Sequence, residues 1–197
     1  MNLKLLLILI SFFGCKEQKT IVPKDYLKQN IEAENFCVNN NMNLDYYFLI
    51  DLSMLSGKNR FFVYNFKTKK MEFKKLVTHG SCDIFEVNPN KWQKAKFSNK
   101  LDSHCSAFGK YSIGARDTST WGIKIKYWLK GLETSNSNST QRITVLHSWD
   151  AIANKEIFPK YSNLSWGCPA ISDDFMEILD QKLQIKSKPV LLWIIEK

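Results

Sequence analysis

Residues 142–148 read Arg-Ile-Thr-Val-Leu-His-Ser, and residues 165–172 read Ser-Trp-Gly-Cys-Pro-Ala-Ile-Ser. The first run is β-branched and apolar and predicts a short strand that delivers His147 at its end. In the second, Gly167 lets the backbone turn tightly beside Cys168, and Pro169 fixes the exit. Ser172 is a good N-cap, and Asp173 and Asp174 fall where a helix dipole favours anions. The expected apolar face of that helix is Phe175, Ile178, Leu179 and Leu183, at i, i+3, i+4 and i+8. A strand, a cysteine-bearing loop and a capped helix thus follow one another.

Outward from this unit the chain is rich in strands. Pro189 opens a buried run from Val190 to Ile195, while Lys110–Gly114 and Trp121–Leu129 lie upstream, before a Ser/Asn-rich loop at 131–140. Residues 79–110 are polar with few periodic cues, which in a compact domain suggests a functional loop region. Tyr46–Ile50, Arg60–Phe66 and Met71–Thr78 form an antiparallel meander, with turn chemistry at 56–59 and Lys67, Lys69 and Lys70 at a hairpin tip. From Lys24 to Asn39, the spacing of Tyr26, Leu27, Ile31 and Phe36 predicts an amphipathic helix that uses them as its buried face. The fold class read from this pattern is mainly β, a β-rich α+β fold.

The N-terminus reads as targeting. Lys4 precedes an apolar run, Leu5 to Phe13, too short for the roughly 20 residues a membrane span needs. Gly14-Cys15 then resembles the lipobox of bacterial lipoproteins, where the cysteine is lipidated. The expected organisation is a signal peptide over 1–14, a tether over 15–23 from a lipidated Cys15, and one domain over 24–197. An ordinary secretory signal cut nearby is the alternative. Either places the chain outside the cytoplasm, in the cell envelope, where disulfides are permitted.

Composition sets the outer bounds. At 197 residues, 44% hydrophobic and 24% charged, the chain is neither disordered nor a multi-domain protein. The formal net charge is +9, but the lysines are scattered and no helix-turn-helix, zinc-finger or RNA-binding signature is present, so nucleic acid is not an expected partner. Anionic lipid headgroups or anionic wall polymers suit an exported basic surface better. Five cysteines, an odd number, leave at least one outside any intramolecular disulfide.

A nucleophilic cysteine needs a base to ionise it and donors for the oxyanion it creates. Cys168 has a tight glycine turn and a helix start around it, and His147 can serve as the base. Val145–Ser148 followed by Ser165–Pro169 resembles the His … Ser-x-Gly-Cys signature of the L,D-transpeptidase catalytic domain, in its murein branch. The likeness runs from about Leu44 to Lys197 and includes Phe48–Asp51, Ser56-Gly57, Arg60–Tyr64, Thr78–Gly80, Ser106–Gly114 and Leu129–Leu132.

The resemblance implies a sandwich of antiparallel strands with a helix after the nucleophile loop, a domain that carries out two-step acyl transfer on peptidoglycan stem peptides. It makes Cys168 the nucleophile and His147 the base that later protonates the leaving amine. It makes Ser165 an orienting residue, and places oxyanion donors in the backbone near Gly167 and Cys168. The thioester is resolved by an amine, giving a 3→3 cross-link, or by water, as in a carboxypeptidase. A non-catalytic wall-binding lipoprotein is the competing class. Neither cofactor nor metal is implied. Trp166 stands where the better-known branch carries a histidine, and with His79 and Ser148 it is a candidate to line the substrate cleft. Cys82 and Cys105 are open to three readings: a disulfide, free thiols, or a zinc site with His79 and His104. Cys37 reads as a buried apolar residue.

Overall fold

The computed structural model describes residues 24–85 and 88–196. The signal segment, the tether and Cys15 lie outside them. Helix α1 (Leu27–Asn39) is followed by strands β1 (Tyr46–Asp51), β2 (Phe61–Asn65), β3 (Lys70–Lys75), β4 (Gly109–Thr118), β5 (Ile125–Gly131), β6 (Val145–Ser148) and β7 (Ala170–Ile171). Helix α2 (Asp173–Gln184) and β8 (Val190–Ile195) complete the chain. The mainly β expectation holds.

The eight strands among the described residues join one sheet in the order β3-β2-β1-β8-β4-β5-β6-β7. The β1–β2–β3 meander is antiparallel, as its turn chemistry implies. Two pairings run parallel, β1 with β8 and β6 with β7, where the family resemblance implied antiparallel strands. The second follows from local chemistry: the segment between β6 and β7 is long enough to return to the same end of the sheet. Beyond β3 the chain curls round to the far edge. Thr78 N–H donates to the Ala170 carbonyl at 2.9 Å, and Ser165 N–H to the His79 carbonyl at 3.0 Å. The sheet is thereby rolled towards a barrel, with the loop carrying Cys168 at its seam.

Strand alternation divides the sheet into two faces. One face presents Phe48, Phe61, Tyr111, Tyr127, Leu129, Leu146, Ile171 and Leu192, covered by Phe175, Met176, Leu179 and Leu183 of α2. Ser172 caps α2, its Oγ accepting from Phe175 N–H. Met176 is buried here while Ile178 is only partly covered, because the stripe follows Phe175, Met176, Leu179, Asp180 and Leu183. The opposite face carries Tyr47, Leu49, Phe62, Tyr64 and Leu191, which pack on α1.

Helix α1 buries only part of the stripe its apolar spacing predicts: Tyr26 is buried and Phe36 packs half-buried against the core, but Leu27 and Ile31 turn outward. Leu27 and Ile31 are 59% and 53% exposed, while Tyr26, Asn30, Ala33 and Cys37 are buried. The sheet decides this. Tyr47 buries its ring beneath the helix and needs an acceptor for its hydroxyl, which Asn30 Oδ1 supplies at 2.7 Å; Tyr26 OH likewise donates to Asp51 Oδ2 at 2.7 Å. The lysine-rich hairpin tip is no free basic patch either, since Lys67 and Lys69 pair with Asp45 and Glu34. Because α1 packs on β1, β2 and β8, the same face further along, at β5, β6 and β7, is the place where the candidate site lies.

Candidate active site

Register assembles the site. Lys126 of β5 lies opposite His147 of β6, which lies opposite Ala170 of β7; Trp128 lies opposite Val145 in the next row. Tyr127, Leu129, Leu146 and Ile171 point into the core, so Lys126, His147 and Ala170 share the other face. Cys168 is two residues before Ala170 and falls in the row of Val145. Its Sγ accepts from Val145 N–H at 3.4 Å and donates to the Ile143 carbonyl at 3.6 Å. Ile143 holds φ at +54°, a left-handed conformation costly for a β-branched residue, and its carbonyl meets the thiol.

His147 has its tautomer set by the backbone. Nδ1 lies 2.9 Å from the Ser148 carbonyl, which can only accept, so Nδ1 carries the proton and Nε2 presents a lone pair. Burial holds the His147 pKa below its ordinary value, with the charge of Lys126 adding to the effect against the bond to Ser148. Burial pushes the Cys168 thiol up, while Val145 N–H and the charges of Arg142 and Lys126 pull it down. The resting pair is therefore a neutral imidazole and a neutral thiol.

The loop is clamped at the Cys168 carbonyl. Ser165 Oγ donates to it at 2.6 Å and Thr78 Oγ1 at 3.1 Å. Ser165 Oγ also accepts from Gly167 N–H at 3.2 Å, and Thr78 Oγ1 from Ala170 N–H at 2.9 Å. Gly167 N–H is thus engaged, whereas Cys168 N–H has no partner among the described residues. Gly167 has φ +106°, and a Cβ there would stand 2.6 Å from the Cys105 carbonyl and 3.1 Å from Arg142 Nη2. Gly167→Ala is expected to cost about 1–3 kcal/mol from backbone strain alone. By displacing Cys168 it should also lower turnover by about 10²-fold. Thermal melts and kcat/KM, measured side by side, check both.

Two cleft candidates lie elsewhere. His79 has no exposed surface: Arg60 Nη2 donates to Nδ1 at 2.7 Å, and Nε2–H donates to the Lys91 carbonyl at 2.7 Å. Burial and the Arg60 charge drive its pKa down to about 3, so it is a neutral structural link. Ser148 is also fully buried, its Oγ accepting from Ile123 N–H at 3.0 Å; its carbonyl, not its hydroxyl, serves the site. Trp166 is 76% exposed, with one face stacked on His104 at 4.7 Å. Cys82 and Cys105 form a disulfide, which together with the engaged ring of His79 replaces the zinc arrangement. Cys37 is buried, as expected.

The chain matches the L,D-transpeptidase catalytic domain over residues 18–193. It belongs to that family. No curated protein matches the chain. Among solved structures it is similar to Bd1075 of Bdellovibrio bacteriovorus (13% identity, TM-score 0.49, covering 80% of this chain and 49% of that one). It is also similar to an L,D-transpeptidase from Xylanimonas cellulosilytica (9%, 0.44, 82% and 68%). A third likeness is to the helical cell shape determining protein Pgp2 from Campylobacter jejuni (14%, 0.44, 83% and 55%). The chain spans about half the length of Bd1075.

Sequence reasoning missed two cations of this L,D-transpeptidase domain. Arg142 lies against the Gly167 turn, donating to the Ser98 carbonyl at 3.0 Å, to Ser103 Oγ at 3.4 Å and to the Cys105 carbonyl. One of those acceptors, the Cys105 carbonyl, belongs to a residue tied by the disulfide to Cys82. Lys126 is the other. The alternation Lys126-Tyr127-Trp128-Leu129 marks it as facing away from the core, but its place opposite His147 is a matter of strand pairing.

Proposed function

We propose that the domain is a peptidoglycan L,D-transpeptidase that works through a Cys168 thioester. The observation that carries this reading is the 2.9 Å contact of His147 Nδ1 with the Ser148 carbonyl, which fixes the proton on Nδ1 and leaves Nε2, with no partner among the described residues, to take a proton on the face that also bears Cys168. In the first step, Sγ attacks the carbonyl of the third stem residue, a diamino acid, and its proton passes to Nε2. Cys168 N–H, which has no other partner among the described residues, donates to the oxyanion, and the clamp on the neighbouring Cys168 carbonyl restrains the loop beside it. The carbon–nitrogen bond then breaks, Nε2 returns the proton to the leaving amine, and D-alanine departs. In the second step, an amine of a neighbouring stem, or water, gives its proton to Nε2 and attacks the thioester; the proton then returns to Sγ. Trp166 walls the cleft.

The setting is the extracytoplasmic face of a bacterial envelope, with the chain anchored by lipid on Cys15 and its basic surface facing anionic polymers. Purified protein incubated with tetrapeptide-stem muropeptides should gain the mass of the stem less D-alanine in an intact-mass spectrum. Free D-alanine should appear, along with 3→3 dimers or tripeptide stems. Protein extracted from membranes should carry the added mass of lipid on Cys15 in the same spectrum. An unmodified chain with no D-alanine released would overturn the catalytic reading.

A further inference from the structure

In the chemistry above, the leaving residue's amino nitrogen stands at His147 Nε2 when it receives its proton. Its carboxyl carbon is two bonds away, about 2.5 Å from that nitrogen. A free carboxylate on the departing residue must therefore lie beside His147, on a half-buried surface where an unpaired anion is costly.

The cation across from His147 is Lys126. Directly opposed residues hold their Cβ atoms roughly 4.5–5.5 Å apart, and these two share the face that turns away from the core. Lys126 Nζ has one carboxylate partner among the described residues, Asp117 Oδ2 at 3.4 Å, which is long for a charge-assisted hydrogen bond. Asp117 is itself committed, accepting from Trp128 Nε1–H at 3.1 Å and from Thr118 N–H at 2.7 Å. The ammonium therefore has donors to spare. Its charge reaches the site, since it depresses both the imidazole and the thiol. Arg142 is less available: its Nη1 and Nη2 already serve three neutral acceptors that hold it against the Gly167 turn.

We propose that Lys126 Nζ receives the free α-carboxylate of the residue expelled from the stem, which makes Lys126 the residue that selects donors ending in a free carboxylate. This rests on the transpeptidase reading. The test compares two donors, a tetrapeptide stem ending in D-alanine and the same stem ending in D-alaninamide, each with wild-type enzyme and with Lys126→Gln. Release of D-alanine or D-alaninamide is followed by mass spectrometry. Wild type should favour the acid by about tenfold in kcat/KM, the worth of one charge-assisted contact. In K126Q that preference should collapse towards unity, with the loss falling on the acid. Any general effect of the lysine charge on His147 or Cys168 acts on both donors and cancels in the ratio. A preference that survives in K126Q, or equal loss on both donors, overturns the assignment while leaving the transpeptidase reading intact. Wild type that releases neither product overturns both.

Discussion

Cys168→Ala is expected to abolish thioester formation and to lower D-alanine release by on the order of 10⁴-fold or more, the scale seen when a covalent nucleophile is removed. The geometry explains why little else should change. Ser165 and Thr78 hold the Cys168 carbonyl, a backbone group that alanine retains. The sulfur's own contacts, from Val145 N–H and to the Ile143 carbonyl, are weak because a thiol is a poor acceptor and a poor donor. The variant should therefore melt within a few degrees of wild type. Intact-mass spectra with a carbapenem-type acylating agent and with tetrapeptide muropeptides, alongside a thermal melt, check it. An adduct or sustained turnover in Cys168→Ala would remove this residue from the mechanism, and a large fall in melting temperature would assign it a structural role instead.

His147→Gln should lower kcat/KM at neutral pH by about 10²–10⁴-fold, the usual worth of a general base. The pH profile separates this from simple damage. A histidine acts as a base above its pKa, and burial holds that of His147 below the ordinary 6.5. Wild-type activity should thus be flat through neutrality and fall only on an acid limb below that value. Glutamine has no such limb. Its activity should rise continuously with pH as hydroxide ionises the thiol, whose own pKa burial has raised. The deficit should therefore narrow in alkali. Retention of the wild-type acid limb in H147Q would show that another group titrates, and would remove His147 from the role of base.

Much of this site is readable as text because its parts are local. The β-branched run before His147, the glycine before Cys168 and the cap at Ser172 each act within a few residues, and the structure places strand, turn and helix there. Ser165 also works locally, through a hydroxyl three residues from the carbonyl it holds. The errors are non-local. Leu27 and Ile31 look like the buried face of α1, but the phenol of Tyr47 draws Asn30 inward. His79 looks like a site histidine, yet Arg60 and the Lys91 carbonyl consume both its nitrogens.

By itself the sequence determined the strand-rich class, the strand that ends at His147, the glycine turn before Cys168 and the capped helix, all set by short-range sterics and hydrogen bonds. Only the tertiary structure decided that β8 lies between β1 and β4, that β7 runs parallel to β6, that Lys126 stands opposite His147 and that Arg142 lies against the turn before Cys168. The physical reason is that strand register joins residues with no chain relationship. Each pairing is selected by the burial of a whole face, a sum over many side chains that no single stretch carries.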